Sequence, residues 1–432
     1  MQMTHPPLMS SQLRPLSHVR NAALVAGQWC SVASLFVVPL NKPATNIALG
    51  LSLVLSLLGS SARHRWLCAA NNPVVVGALV WWVVLVLSAI HTWYATSSLP
   101  LAGSFVWVCW YPLVLGSLLR TPQWRRRALI AFALAMCLVL LISYGMDFGL
   151  IPQRAVTLTQ PNMRNTVFKE YTQQGVALLI FGSMALAAAM DTPSSPRKIF
   201  FYAMALLVIV NVVWMLESRT AYLTLIALLA FWAWRTFIKS RMNLQAVLAS
   251  FALAVVALAT IWFTPPIRDR LVLSVAHEVE IYAHRRTPSS TGIRLELWRR
   301  TLPIIAAAPV FGNGLNQWAP LYRRSIEGLP DFDAFLMGHP HQDMLLILAE
   351  QGLAGLLIYL LLLVGLARYI QKLDTPERDI YACIFLVYVT AGLANGLWAD
   401  FSHRHLFILL LACIPMANKH APLFQPALKR PN

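Results

Sequence analysis

The chain has 432 residues, 58% of them hydrophobic and only 12% charged, with a net charge of +17 and a mean hydropathy of +0.61. A soluble domain carries roughly 25% charged residues, so the composition excludes an ordinary water-soluble enzyme and makes the bilayer the main solvent. Positive flanks on membrane helices and attraction to anionic lipid account for the charge, so no nucleic-acid partner is expected.

A membrane span needs about 20 mostly apolar residues. Met1 to Arg20 is polar, carries arginines and lacks a small-residue cleavage site, and is expected to be a retained cytoplasmic tail. Apolar stretches follow near 21–40, 44–60, 73–92, 100–119, 128–150, 174–190, 199–216, 221–238 and 245–263. Three more lie near 343–367, 379–398 and 405–417. The expectation is an all-α polytopic membrane protein of about twelve transmembrane helices. It divides into an N-terminal bundle at 1–263, a large outer loop at 264–341, and a C-terminal bundle with a short tail at 342–432. Pro265 and Pro266 open the loop, Pro340 closes it, and two amphipathic stretches near 274–286 and 291–307 are expected to be helical. The six cysteines lie in or beside apolar stretches and none is in the loop, so no disulfide framework is expected.

Orientation follows from Lys and Arg in alternate connections. With the N-terminus inside, cytoplasmic segments hold 19 of the 34 basic residues, while the outer short segments hold 6 and the long loop 9. The positive-inside rule therefore puts both termini in the cytoplasm and the loop outside. Of the 15 outer basic residues 13 are arginine, Arg164 among them, and only Lys42 and Lys169 are lysine. Guanidinium groups suit phosphate oxygens, and snorkelling at the interface is the plainer reading.

Four places concentrate chemistry. Arg219 lies in Glu217-Ser218-Arg219-Thr220 between two long apolar runs, where a charge is costly unless it is paired, with Glu217 for instance, or lines a cavity. Arg294 and Trp298 share a helix face at i, i+4. Gly338-His339-Pro340-His341-Gln342-Asp343 ends the loop as a span begins, and a neutral histidine there can take a proton from a hydroxyl. An interfacial anchor is the bland alternative, and Pro340 is expected to turn the two rings apart. A divalent ion on Asp331, Asp333, His339 and His341 is conceivable, but the spacing is not diagnostic and no metal or cofactor is expected. Asp400-Phe401-Ser402-His403-Arg404-His405 gathers more ionisable groups at an outer turn, either completing a site or anchoring the interface.

Together these residues resemble the bacterial O-antigen ligase and polymerase group. His341, Gln342, Gly352 and Gly355 meet its pattern of His, Asn/Ser/Gln, nine residues, Gly, two residues, Gly, with Glu350 where the family often has an acid. Gly292-Ile293-Arg294 with Trp298, then Pro309-Val310-Phe311-Gly312-Asn313-Gly314, is similar to its "R, W, P-x-F-G-x-G" stretch, and Ser218-Arg219-Thr220-Ala221 to its "S-R-x-A" turn. The resemblance covers roughly 217–355 and implies a GT-C-like fold at the bacterial inner membrane with its active site facing the periplasm. It implies transfer of a preassembled glycan from undecaprenyl pyrophosphate to a sugar hydroxyl of lipid A–core, without metal and with inversion. Arg219 and Arg294 would clamp the pyrophosphate and His341 would be the base, with His339 a second candidate. Arg164, Trp298, Asp400 and Arg404 would complete the substrate site beside His339. Membrane lipids are further expected partners, and a lateral opening, with some of the 15 tryptophans lining it, would admit the lipid tails.

Three alternatives stay open: a glycan polymerase, a protein O-oligosaccharyltransferase, and a transporter that makes no bond. The short tail after the last apolar stretch leaves no room for an extra outer domain and favours the ligase. No Gly-x-x-x-x-Gly-Lys-Ser/Thr loop is present, which argues against nucleotide use.

Overall fold

The computed structural model describes residues 13–97, 104–158, 163–192, 196–216, 218–239, 263, 265–285, 288–328, 332–375 and 377–416. Among these every regular element is helical. Three helices begin with the same device, a polar cap followed by proline. The side chains of Asn41, Asn72 and Thr121 accept from the first-turn amides of Lys42–Leu58, Pro73–Thr96 and Pro122–Asp147. Proline at the start forfeits an N–H that had no helical acceptor in any case.

By length and composition five described helices can cross a membrane, Pro73–Thr96, Pro122–Asp147, Tyr171–Asp191, Pro196–Met215 and Asp343–Ile370, or up to six if one bent pair counts as a span. That makes a multi-pass membrane protein but does not recover twelve spans, for local reasons. The stretch near 44–60 ends at Leu58, and the chain turns 116° into Ala62–Ala70. The one near 100–119 breaks into Ser104–Trp107, a 3-10 turn and Tyr111–Leu118. Leu13–Val37, Arg219–Lys239 and Glu377–Ala394 cover three expected stretches but fall outside the five. The last, Phe401–Ala412, has 12 residues, about 18 Å of helix against the roughly 30 Å of hydrocarbon. The expected span at 245–263 lies, but for residue 263, outside the described residues.

Tyr171–Asp191 is the most buried of the five, packed by Pro196–Val210, Arg219–Lys239 and Glu377–Ala394, while Asp343–Ile370 keeps most of its apolar surface outward. The two loop helices appear at Ser274–Arg285 and Ser290–Ala307. Glu296, 2% exposed, joins them by taking the Tyr282 hydroxyl at 2.5 Å and the guanidinium groups of Arg299 and Arg300. Beneath them Leu297, Trp318, Tyr322, Ile326 and Phe335 form a second apolar core against Leu346 and Ala349 of the Asp343–Ile370 helix. The loop is therefore a packed cap on one end of the bundle. All six cysteines are free thiols.

Candidate functional site

The pattern of glycines in the chain has an architectural cause. Within Asp343–Ile370 the residue Gly352 takes φ +66 and ψ −167, so the helix breaks there. The freed groups are satisfied by Pro309–Gly314 laid into the gap. Asn313 and Gly314 donate to the carbonyls of Ala349 and Glu350 at 2.9 and 3.0 Å, and Leu353 and Ala354 donate to those of Pro309 and Val310 at 2.9 and 3.0 Å. A Cβ on Gly312 would strike the Glu350 backbone, and one on Gly352 the Val310 carbonyl. The Pro309–Gly314 stretch of the outer segment is thereby bonded into a membrane helix that starts immediately after the histidines.

That first turn is capped by Gln342, whose side chain accepts from Leu345 N–H at 2.5 Å. Trp298 donates its indole N–H to the Pro340 carbonyl at 3.1 Å, which fixes the His-Pro-His segment under Ser290–Ala307. His341 sits at φ +52, a left-handed conformation that a β-substituted residue adopts only when its surroundings dictate it. This fold reverses one expectation. Pro340 does not separate the rings; their centroids are 4.4 Å apart.

The two histidines nonetheless differ in chemistry. His339 Nδ1 accepts the backbone N–H of His341 at 3.2 Å, so its lone pair is spent on the turn, and its ring lies so close to Gly396 that a Cβ there would collide. Burial, with His341 alongside, pushes its pKa down to about 4. His341 Nδ1 lies 3.0 Å from Asn395 Oδ1, and Gly396 N–H donates to the same oxygen at 2.9 Å. An amide N–H can only donate, so that atom is the carbonyl oxygen and the His341 proton is on Nδ1. His341 Nε2 then carries the lone pair, and among the described residues no protein group bonds to it. Burial first, and then Arg294, lower the His341 pKa despite the Asn395 bond, so the ring is neutral at physiological pH.

The arginines converge on the same region from the other side. Arg219 Nη1 donates to Thr291 Oγ1 at 2.9 Å and Nη2 to Ser274 Oγ at 2.6 Å, and Glu278 takes both nitrogens as a fork. Its ion-pair partner among the described residues is thus Glu278 in the loop; Glu217 lies outside the described residues. Burial alone would raise the Glu278 carboxyl, but hydrogen bonds from Arg219 and Thr291 outweigh it and hold the pKa at about 2. Glu278 also accepts the Thr291 N–H at 2.7 Å at the start of Ser290–Ala307. One turn on, Arg294 bonds, among the described residues, to Ser290, at 3.0 Å to its hydroxyl and 3.4 Å to its carbonyl, and its buried Nε has no partner among them. Burial lowers its pKa, and Tyr171, Arg219 and Glu278 all act on it electrostatically.

Asp400 caps Phe401–Ala412 through His403 N–H at 2.9 Å and takes Gln173 Nε2 at 2.7 Å. Burial opposes its ionisation, but the nearby His403 ring, 3.1 Å away, and the His403 backbone N–H hold the carboxyl well below the usual range. Asp400 and Gln173 thus tie the turn bearing Asn395 to the central helix. Arg404, 3% exposed, donates to the Trp398 and Ala399 carbonyls at 2.6 and 3.1 Å from beneath that turn. Arg164 is exposed and pairs with Asp147 at 3.7 Å. His341, His339, Trp298, Arg294 and Arg219 are therefore brought together, Asp400 and Arg404 support the turn, and nothing ties Arg164 to the cluster. Asp333 is exposed, and among the described residues no three His, Cys, Asp or Glu side chains converge as metal ligands. Asp331 lies outside them.

Asn395, Glu278, Ser274 and Thr291 are site residues that spacing does not pick out. The Asn-Gly pair at the end of an apolar stretch is the one local signal, and it marks a turn rather than a partner for histidine.

Comparison with known proteins gives one family model, described as O-antigen ligase, which matches residues 202–360. The match contains Arg219, Arg294, His339, His341 and the glycines of the helix break, and stops short of Asn395. No curated protein matches the chain.

Proposed function

We propose, with the support that the match over residues 202–360 lends to the O-antigen ligase family as premise, that this protein transfers a preassembled glycan from undecaprenyl pyrophosphate to a sugar hydroxyl of lipid A–core. The observation that carries the reading is the fixed tautomer of His341. With Nδ1–H held by Asn395, Nε2 is a base of neutral charge facing away from its support, near Arg294, which meets no carboxylate among the described residues.

In this mechanism the acceptor hydroxyl gives its proton to His341 Nε2 as its oxygen bonds to the anomeric carbon. The carbon–oxygen bond to pyrophosphate breaks on the opposite face, its electron pair leaves with undecaprenyl pyrophosphate, and the configuration inverts. Arg294 neutralises the charge growing on the leaving group, with Arg219 adding positive potential from its place on Glu278. Pyrophosphate is already a good leaving group, so no nucleotide is consumed. The reaction belongs at the periplasmic face of the inner membrane, where the positive-inside count puts the loop.

The test is transfer by the purified protein between undecaprenyl-pyrophosphate-linked glycan and rough lipopolysaccharide, with and without EDTA, beside His341→Ala and Arg294→Ala. Ladder formation that survives EDTA and is lost in both variants is the expected result. Polymer growing on the prenyl carrier instead would make the protein a polymerase, transfer to a polypeptide would make it a protein glycosyltransferase, and retention at the anomeric carbon would rule out the single displacement.

A further inference from the structure

The end of the bundle opposite the histidines has cations of its own. Arg219, Arg235, Arg299 and Arg300 each meet a carboxylate. Arg65, Arg120 and Arg125 form no ion pair among the described residues. Arg65 is 5% exposed; its Nη2 donates to the Ser56 carbonyl at 2.6 Å, while Nε and Nη1 are buried without partners among the described residues. Arg120 Nη1 is 3.4 Å from His64 Nδ1, and Arg125 Nη1 donates to the Arg120 carbonyl at 2.7 Å. An uncompensated buried guanidinium beside two others leaves this corner short of an anion.

A cavity of 250 Å³ opens there, lined by Arg120, Arg125, Asn72 and Cys68, with Pro112 and Leu411 at its inner wall and no carboxylate in its lining. Arg65 is three residues before Cys68 and four before Ala69, which also lines the cavity, so it occupies the same helical face one turn back. Pro112 and Leu411 also line a second cavity of 210 Å³, walled by Trp81, Tyr359, Leu362 and Phe407 between the Pro73–Thr96, Asp343–Ile370 and Phe401–Ala412 helices. A cationic pocket thus runs into an apolar groove at membrane depth, and that amphipathic shape matches a phospholipid rather than a free anion.

We propose that the paired cavities form a structural site for an anionic phospholipid, its phosphodiester between Arg120 and Arg125 and one acyl chain in the groove beside Trp81 and Phe407. Basic pockets between helices at the cytoplasmic side take such headgroups. The prenyl pyrophosphate donor is a poor occupant, because its charged end belongs at the histidine end of the bundle. The bound lipid fills the groove between these three helices.

The experiment is native mass spectrometry of the whole protein released from vesicles of phosphatidylglycerol and phosphatidylcholine in equal parts. It compares the wild type with Arg120→Gln/Arg125→Gln and with Gly77→Leu. Gly77 lines the groove, and a Cβ there meets only Leu362, at 3.5 Å, so the leucine fills the groove without touching a charge. Wild type is expected to retain phosphatidylglycerol over phosphatidylcholine, with a loss on the order of tenfold when the two charges go and a comparable loss in Gly77→Leu. Equal retention of both lipids, unchanged retention in Gly77→Leu, or displacement of the lipid by inorganic phosphate would overturn the assignment. Should the arginine variant not fold, the headgroup preference of the wild type and the Gly77→Leu loss still decide it.

Discussion

At the scale of single residues the chemistry depends on where two protons reside. His341 keeps one on Nδ1 because Asn395 offers an oxygen there, and its pKa is lowered, so the basic form persists as pH falls through the ordinary histidine range. Replacing Asn395 by aspartate puts an anion on the ring and raises the pKa of His341; the acidic limb of the pH–rate profile should move up by about one unit, with assembly unchanged. Asn395→Leu should lower kcat by on the order of tenfold to a hundredfold while donor affinity holds, which a steady-state split of kcat and KM would show. Glu278 is the second case. Its folded pKa of about 2 lies below the unfolded value, so its contribution to stability is present above pH about 4.5 and is lost as pH falls towards 2. Glu278→Gln strands Arg219 and should cost roughly 2 kcal/mol, seen as weaker resistance of the loop to proteolysis at neutral pH. Neither Asn395 nor Glu278 was legible in the sequence. One is 54 residues from its histidine and the other 59 from its arginine, and no local pattern encodes such a pairing. His341 and Arg219 stood out as candidates because imidazole or charge at the edge of an apolar run is conspicuous, and Arg294 because it shares a helix face with Trp298.

At the scale of elements the glycines set the outcome. Gly352→Ala asks for a left-handed alanine with its Cβ in the Val310 carbonyl, and should abolish accumulation of folded protein in the membrane. Gly365 lies in the same helix with open space around its Cα, and Gly365→Ala should stabilise by up to about 1 kcal/mol; monodispersity in detergent on heating reads both. The loop helices were readable from amphipathic periodicity, and Ser290–Ala307 buries one face on a soluble-like core. The span count was not, since hydropathy measures apolarity over a window and is blind to a 116° turn after Leu58 or a 3-10 break before Tyr111.

At the scale of the whole molecule all the contacts that build the site lie at one end of the bundle, and Arg65, Arg120 and Arg125 lie at the other. The positive-inside count predicts that the first end is periplasmic. With the native cysteines replaced, Glu327→Cys, exposed on the cap, should react with a membrane-impermeant maleimide in intact spheroplasts. Ser61→Cys, exposed at the opposite end, should react only after lysis, and the reverse pattern would invert the orientation. Charge statistics predict this axis from sequence alone, whereas the depth of the cavities depends on how helices far apart in the chain meet.

The seam at Gly352 has a mechanical consequence. Four backbone bonds stitch the outer segment into the span, so it cannot swing as a hinged cover without unzipping membrane helix. In the proposed reaction, access then comes from the travelling partners: two lipid-tethered molecules drift in the plane of the bilayer and meet at a stationary anvil. Amide exchange at Leu353 and Ala354 should accordingly be as slow as in the middle of the span.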